Sequence, residues 1–217
     1  MKQFTAAWEV LVQAFSDWWY NWLIFLAANT LWIFGTASFL FAPPALFGLF
    51  YVANEAVHKR GVDLADFFRG ARRYFRKSWQ WGLLNLIAAF LVWTNINFYL
   101  QFVALWSAAL LTITLFLAVV WIIVQAYTIP YLLEQDVKKV RVALRNGLYT
   151  MLASPLYTLV LSFAVFLIVR LCAWQPALML AGGPVLVALI ATHAVRERVE
   201  TFGLRGGMNS SGGEPHT

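Results

Sequence analysis

Histidine, cysteine and carboxylate side chains are the groups best able to do chemistry, and in this sequence they are few and scattered. The three histidines are His58, His193 and His216, and Cys172 is the one cysteine. No HExxH motif, no cysteine pair and no carboxylates at ligand spacing bring donors to one face, so no metal site is expected. The serines lack any motif that would activate one as a nucleophile. His193 is expected as a polar group at the inner membrane interface, and Cys172 as a small buried hydrophobe. Neither a catalytic residue nor a cofactor is expected, and the chain reads as a non-enzyme.

Uncharged polar residues inside apolar stretches are the next candidates. Asn29 with Thr30, Asn85, Gln125, and Thr112 with Thr114 lie far from any charge. Such residues either bond between helices or line a path for a small neutral solute, so Asn29, Asn85 and Gln125 form a candidate intramembrane polar cluster. Intramembrane ionisable residues mark ion paths and proton relays. None is expected at mid-depth here, since Arg170 lies at an outer end where it can snorkel. That counts against a proton-driven transporter. Ala177, Ala181, Pro184, Ala188 and Thr192 make a small-residue face at helical spacing, beside Gly182-Gly183. It fits an internal contact or an interface with a partner.

The elements that must position these residues follow from composition. Of 217 residues, 61% are hydrophobic and only 12% are charged, against about 25% charged in soluble domains. The stretches 18–54, 78–133, 146–169 and 171–195 carry no Lys, Arg, Asp or Glu. A crossing helix needs about 20 apolar residues, and none of these runs alternates as a barrel strand would. The expectation is therefore an all-α, polytopic helical membrane protein with five spans, near 23–41, 79–98, 104–127, 155–172 and 176–195. Residues 1–204 form one membrane domain, and the Gly/Ser-rich 205–217 a disordered tail. Residues 1–17 read as an interfacial amphipathic helix, with Phe4, Trp8, Leu11, Val12, Phe15 and Trp19 on one face. Pro43-Pro44 starts a short sixth helix ending near His58, which either crosses or re-enters its own side. A hinge is expected near Asn95-Ile96-Asn97, and Thr128-Ile129-Pro130 is expected to loosen the end of the span before it.

Charge sets the orientation. Net charge is +6, and the basic residues fall in three clusters that each abut a span. Asp63 caps a helix with Leu64, Phe67, Phe68, Ala71, Tyr74 and Phe75 on one face and Arg69, Arg72, Arg73, Arg76 and Lys77 on the other. Val137, Val140, Leu144 and Leu148 oppose Lys138, Lys139, Arg141 and Arg145 in a second basic stretch, a weak echo of the first displaced by 76 residues. Basic amphipathic helices lie in the headgroup plane, so these nine cations are expected to touch anionic headgroups or a partner. The positive-inside rule puts all three clusters, and the C-terminus, in the cytoplasm. The N-terminus is cytoplasmic if Pro43-Pro44 marks an outer hairpin and external if that segment re-enters; the cytoplasmic side is the expectation adopted. Nucleic acid is not an expected partner, because the charge is distributed by span and not by surface.

Several stretches carry a family resemblance. They are Asn29-Thr30-Leu31-Trp32-Ile33, the run from Ala42-Pro43-Pro44 through Gly48-Leu49-Phe50-Tyr51-Val52, and Phe67-Phe68-Arg69 through Tyr74-Phe75-Arg76-Lys77 to Gly82. Together with the length and the later spans, they resemble the YesL-like family of bacterial membrane proteins of unknown function. The layout matches over 5–200 and the motifs over about 20–85, with Pro-Pro where a single Pro is usual. The resemblance implies a bacterial inner-membrane location and an accessory role beside carbohydrate uptake; besides the bilayer, a transporter subunit or a second copy of the chain is the expected partner. It supplies no site residues.

Overall fold

The computed structural model describes residues 2–136 and 138–201; Val137, the 204 boundary and the expected tail lie outside the described residues. All regular structure among the described residues is α-helical. The helices are α1 (Lys2–Tyr20), α2 (Trp22–Ala37), α3 (Ala42–Val57), α4 (Leu64–Arg73), α5 (Phe75–Tyr99), α6 (Leu105–Glu134), α7 (Val140–Ala153), α8 (Pro155–Trp174), α9 (Pro176–Leu180) and α10 (Gly183–Thr201).

Three helices, α5, α6 and α8, are long and apolar enough to cross a membrane. Their outward faces carry large apolar side chains such as Phe90, Trp93, Phe116, Ile122, Phe163 and Phe166, all exposed. A continuous girdle of this kind suits hydrocarbon and not water. By length and composition, three of the expected five spans qualify. The first expected span is α2, only 16 residues, which rises about 24 Å against a ~30 Å core. The last is broken into α9 and α10. Gly182 at the break has φ +114°, and a Cβ there would lie 2.7 Å from the Trp18 indole nitrogen, so only glycine fits.

Two local expectations also shift. The hinge at Asn95–Asn97 is still helix, because Asn95 and Asn97 bond to Leu91 O and Trp93 O of their own turn; the chain reverses between Tyr99 and Leu105 instead. Pro130 lies inside α6, which runs on to Glu134.

Helix α3 is the hub, packed against α2, α4, α5, α6 and α10 with most of its residues buried. Its start meets the first turns of α5, where Phe39 packs on Trp79 at 5.7 Å and Pro43 meets Gly82. Its end meets the end of α6, where His58 pairs with Glu134. Since α5 and α6 form a hairpin, both ends of α3 lie at one end of the bundle. Helix α4 is held tightly along α3. A Cβ on Gly48 would lie 2.7 Å from Phe67 O, and one on Gly70 would strike Tyr51 Cβ.

Two of the expected interfacial helices contact the bundle through small residues. Helix α1 buries Ala7, Val10 and Ala14 against α8 and α10, while Phe4, Trp8, Val12, Phe15 and Trp19 point outward. Helix α7 buries Ala143, Gly147 and Thr150, while Leu148 is exposed. Small residues permit close backbone approach, and large apolar ones are left for the surroundings. The first basic stretch is divided at Tyr74, so Phe75, Arg76 and Lys77 already belong to α5.

Candidate functional site

Polar chemistry collects where α3, α6 and α10 end. Helix α3 stops in a two-bond turn, with Lys59 N–H donating to Ala56 O at 2.8 Å and Arg60 N–H to Glu55 O at 3.1 Å. This is the Schellman pattern, with Lys59 in the left-handed position usually held by glycine (φ 53°). The turn brings Arg60 back to within 3.5 Å of the Glu55 carboxylate. Asp66 accepts the Asp63 backbone N–H at 2.9 Å, fixing the start of α4.

Glu134, at the end of α6, receives the Asn54 amide at 2.9 Å and faces His58 Nε2 at 3.2 Å. The other His58 nitrogen lies 2.8 Å from Asn54 O. The hydrogen bond with Glu134 pushes the His58 pKa up, against the opposing effects of burial and Arg196. From α10, Arg196 donates to Val57 O.

Two cavities open here. The larger, about 430 Å³, is walled by Asn54, His58, Arg60, Glu134, Asp136 and Asn146 among others. The smaller, about 190 Å³, lies between Tyr51, Glu55, Arg60, Arg73, Tyr74 and Lys138. Asn54, Arg60 and Leu133 line both, so they adjoin. Their described lining offers amides, carboxylates, an imidazole, guanidinium groups and an ammonium, groups that bind polar ligands. Among the described residues no group of three or more His, Cys, Asp or Glu is placed to hold a metal.

A buried polar belt supports this end. Arg198 stacks 3.9 Å over the Tyr157 ring, donates to Ser154 Oγ at 3.1 Å and pairs with Glu197 at 2.7 Å. Tyr127 donates to Thr158 at 3.1 Å, and Tyr131 meets Thr150 at 2.5 Å. Farther off, His193 pairs with Asp17 at 2.8 Å, tying α10 to α1.

The candidate intramembrane residues are distributed between two places. Asn85 and Gln125 form a clasp between α5 and α6, in which Trp121 donates to Asn85 Oδ1 at 3.1 Å and Trp81 to Gln125 Oε1 at 2.7 Å. Asn29 is fully buried and bonds elsewhere, to the carbonyls of Met179 and Leu180 in α9. The small-residue face is interrupted by the break at Gly182. Ala177 and Ala181 are exposed, Pro184 is half-buried, and Ala188 and Thr192 are fully buried. Of the nine expected contact cations, Arg69, Arg72, Arg73, Arg76, Lys139, Arg141 and Arg145 are exposed, and Lys77 and Lys138 are half-buried.

Sequence reasoning passed over Asp17, Glu55, Glu134 and Arg198. Asp17, Glu55 and Glu134 each stand at the edge of a long apolar run, and that position is the signal that could have found them; Arg198 lies within the Arg196–Glu200 charge cluster and carries no such signal. Compared with protein-family models, with curated proteins and with solved structures, the chain matches none.

Proposed function

We propose that this chain is a non-catalytic accessory protein of the bacterial inner membrane that works by binding at its polar end, which faces the cytoplasm together with the C-terminus. One observation carries the reading. Asn85 and Gln125 accept helix–helix bonds from Trp121 and Trp81, whereas the open polar cavities gather at the end where the basic clusters meet. A permeation path needs polar groups turned to a channel, and here they are turned to one another. The association with carbohydrate uptake rests on the YesL-like resemblance of residues 20–85 alone, and the contact with a transporter subunit or a second copy on that same resemblance. Anionic headgroups would lie against the exposed arginines of α4 and α7.

Solute flux tests the reading. Purified protein in liposomes should pass no small neutral sugar or polyol above protein-free vesicles. Asn85→Leu should leave that unchanged while lowering stability by about 0.6–1.7 kcal/mol, the range for interhelical hydrogen bonds. Reproducible flux abolished by Asn85→Leu at unchanged melting temperature would make the protein a transporter instead.

A further inference from the structure

Three cations meet in the smaller cavity with one carboxylate between them. Arg60 comes from the turn after α3, Arg73 from the end of α4 and Lys138 from the segment before α7, while Glu55 is the carboxylate among the described lining. Glu55 already has partners: Arg60 at 3.5 Å and the Tyr51 hydroxyl, which lies between Glu55 and Arg73. Lys138 donates one N–H to Leu133 O at 2.5 Å, and its ammonium carries two further N–H groups. Burial, and then the charge of Arg73, pull the Lys138 pKa down. Like charges held together are costly until an anion joins them; Lys138 is half-buried, and Arg60 and Arg73 reach it from the exposed rim. The volume of about 190 Å³ would take roughly six waters at ~30 Å³ each, enough for a tetrahedral oxyanion. Guanidinium forks and an ammonium are the groups that recognise phosphate.

The adjoining cavity has a different character. Asn54, Asn146, Glu134 and Asp136 offer amides and carboxylates, the groups that bind hydroxyls.

We propose that the two cavities form one site for a small phosphorylated polyol, with the phosphate held by Arg60, Arg73 and Lys138 and the hydroxyls facing Asn54, Asn146 and Glu134. That chemistry has two sources, a soluble phosphate ester or the headgroup of a phospholipid such as phosphatidylglycerol. The inference rests on the polar end being a binding surface and names what it binds.

The test is calorimetric titration of the full chain in uncharged detergent with glycerol 3-phosphate, with glycerol and with chloride at matched ionic strength as controls. Saturable binding of glycerol 3-phosphate alone is expected. Arg73→Gln and Lys138→Gln should each weaken it about tenfold, the scale of one charge-assisted hydrogen bond. Glu55→Gln should tighten it several-fold by removing the competing charge. Arg141→Gln, exposed on α7 and lining neither cavity, should change it less than about twofold. Should the titration be silent, the same chain goes into nanodiscs. A melting temperature higher in phosphatidylglycerol than in phosphatidylcholine, with the increment lost in Lys138→Gln, assigns the site to the lipid headgroup. Absence of both signals overturns the proposal, and so does equal weakening by Arg141→Gln, the mark of diffuse screening. Arg73 is exposed, so its variant carries the test if Glu55→Gln fails to fold. Flux in liposomes would sink the accessory reading and leave this binding result standing.

Discussion

Protonated His58 is worth most to the fold while Glu134 faces it. Its pKa is raised in the folded chain, chiefly by the Glu134 hydrogen bond, so the folded state binds the proton more tightly than the unfolded one. The stabilisation is complete below the unfolded value near 6.5 and is lost as pH rises through the folded value. Melting temperature in detergent should therefore be higher at pH 6 than at pH 8, and Glu134→Gln should flatten that difference. A wild-type profile identical to that of Glu134→Gln would remove the pair from the account. The Asp17–His193 contact makes a second residue-scale case. Asp17→Asn leaves a buried imidazole poorly partnered, and should cost about 1–3 kcal/mol by the penalty for such groups, read as lower thermal stability. Neither pairing was legible in the sequence. Each joins residues 76 or more positions apart, across helices whose packing faces periodicity alone misassigns.

Between helices the deciding variable is side-chain size. In α1 and α7 the large apolar residues Phe4, Trp8 and Leu148 are exposed, as interfacial helices require, and the contact with the bundle is made by Ala7, Ala14, Ala143 and Gly147. Hydrophobicity distinguishes core from water but not core from lipid, so in an apolar setting the small residues mark the contact. The basic amphipathic character of α4 was legible, including Asp63 and Asp66 at its start, because charge and period agree there. The grip of α3 on α4 was not, since it depends on where Gly48 and Gly70 fall against Phe67 and Tyr51. Gly48→Ala should cost about 1–3 kcal/mol through overpacking against a backbone oxygen. Lys59→Gly should stabilise by about 1 kcal/mol, by relieving a left-handed residue in the turn after α3; a destabilised variant would show that the lysine side chain matters more than its backbone.

For the whole molecule, the distribution of charge is the strongest organising fact. Three basic clusters far apart in sequence are brought to one end, where Arg196 reaches Val57 O, His58 reaches Glu134 and Lys138 lies near Arg73. That gathering was legible, since it follows from where the charge-free runs begin and stop. The number of crossings was less so. The helix break at Gly182 and the packing of α3 as the hub depend on backbone geometry that composition does not encode. The account places every basic cluster, both ends of α3 and both cavities on the cytoplasmic side, and labelling with a membrane-impermeant thiol reagent tests this most directly. In a Cys172→Ser background, single cysteines at Ser38, Gly61 and Asn146 should label in inverted vesicles and not in intact cells, and Asn97 should show the reverse. Labelling of Gly61 and Asn97 from the same side would contradict the account.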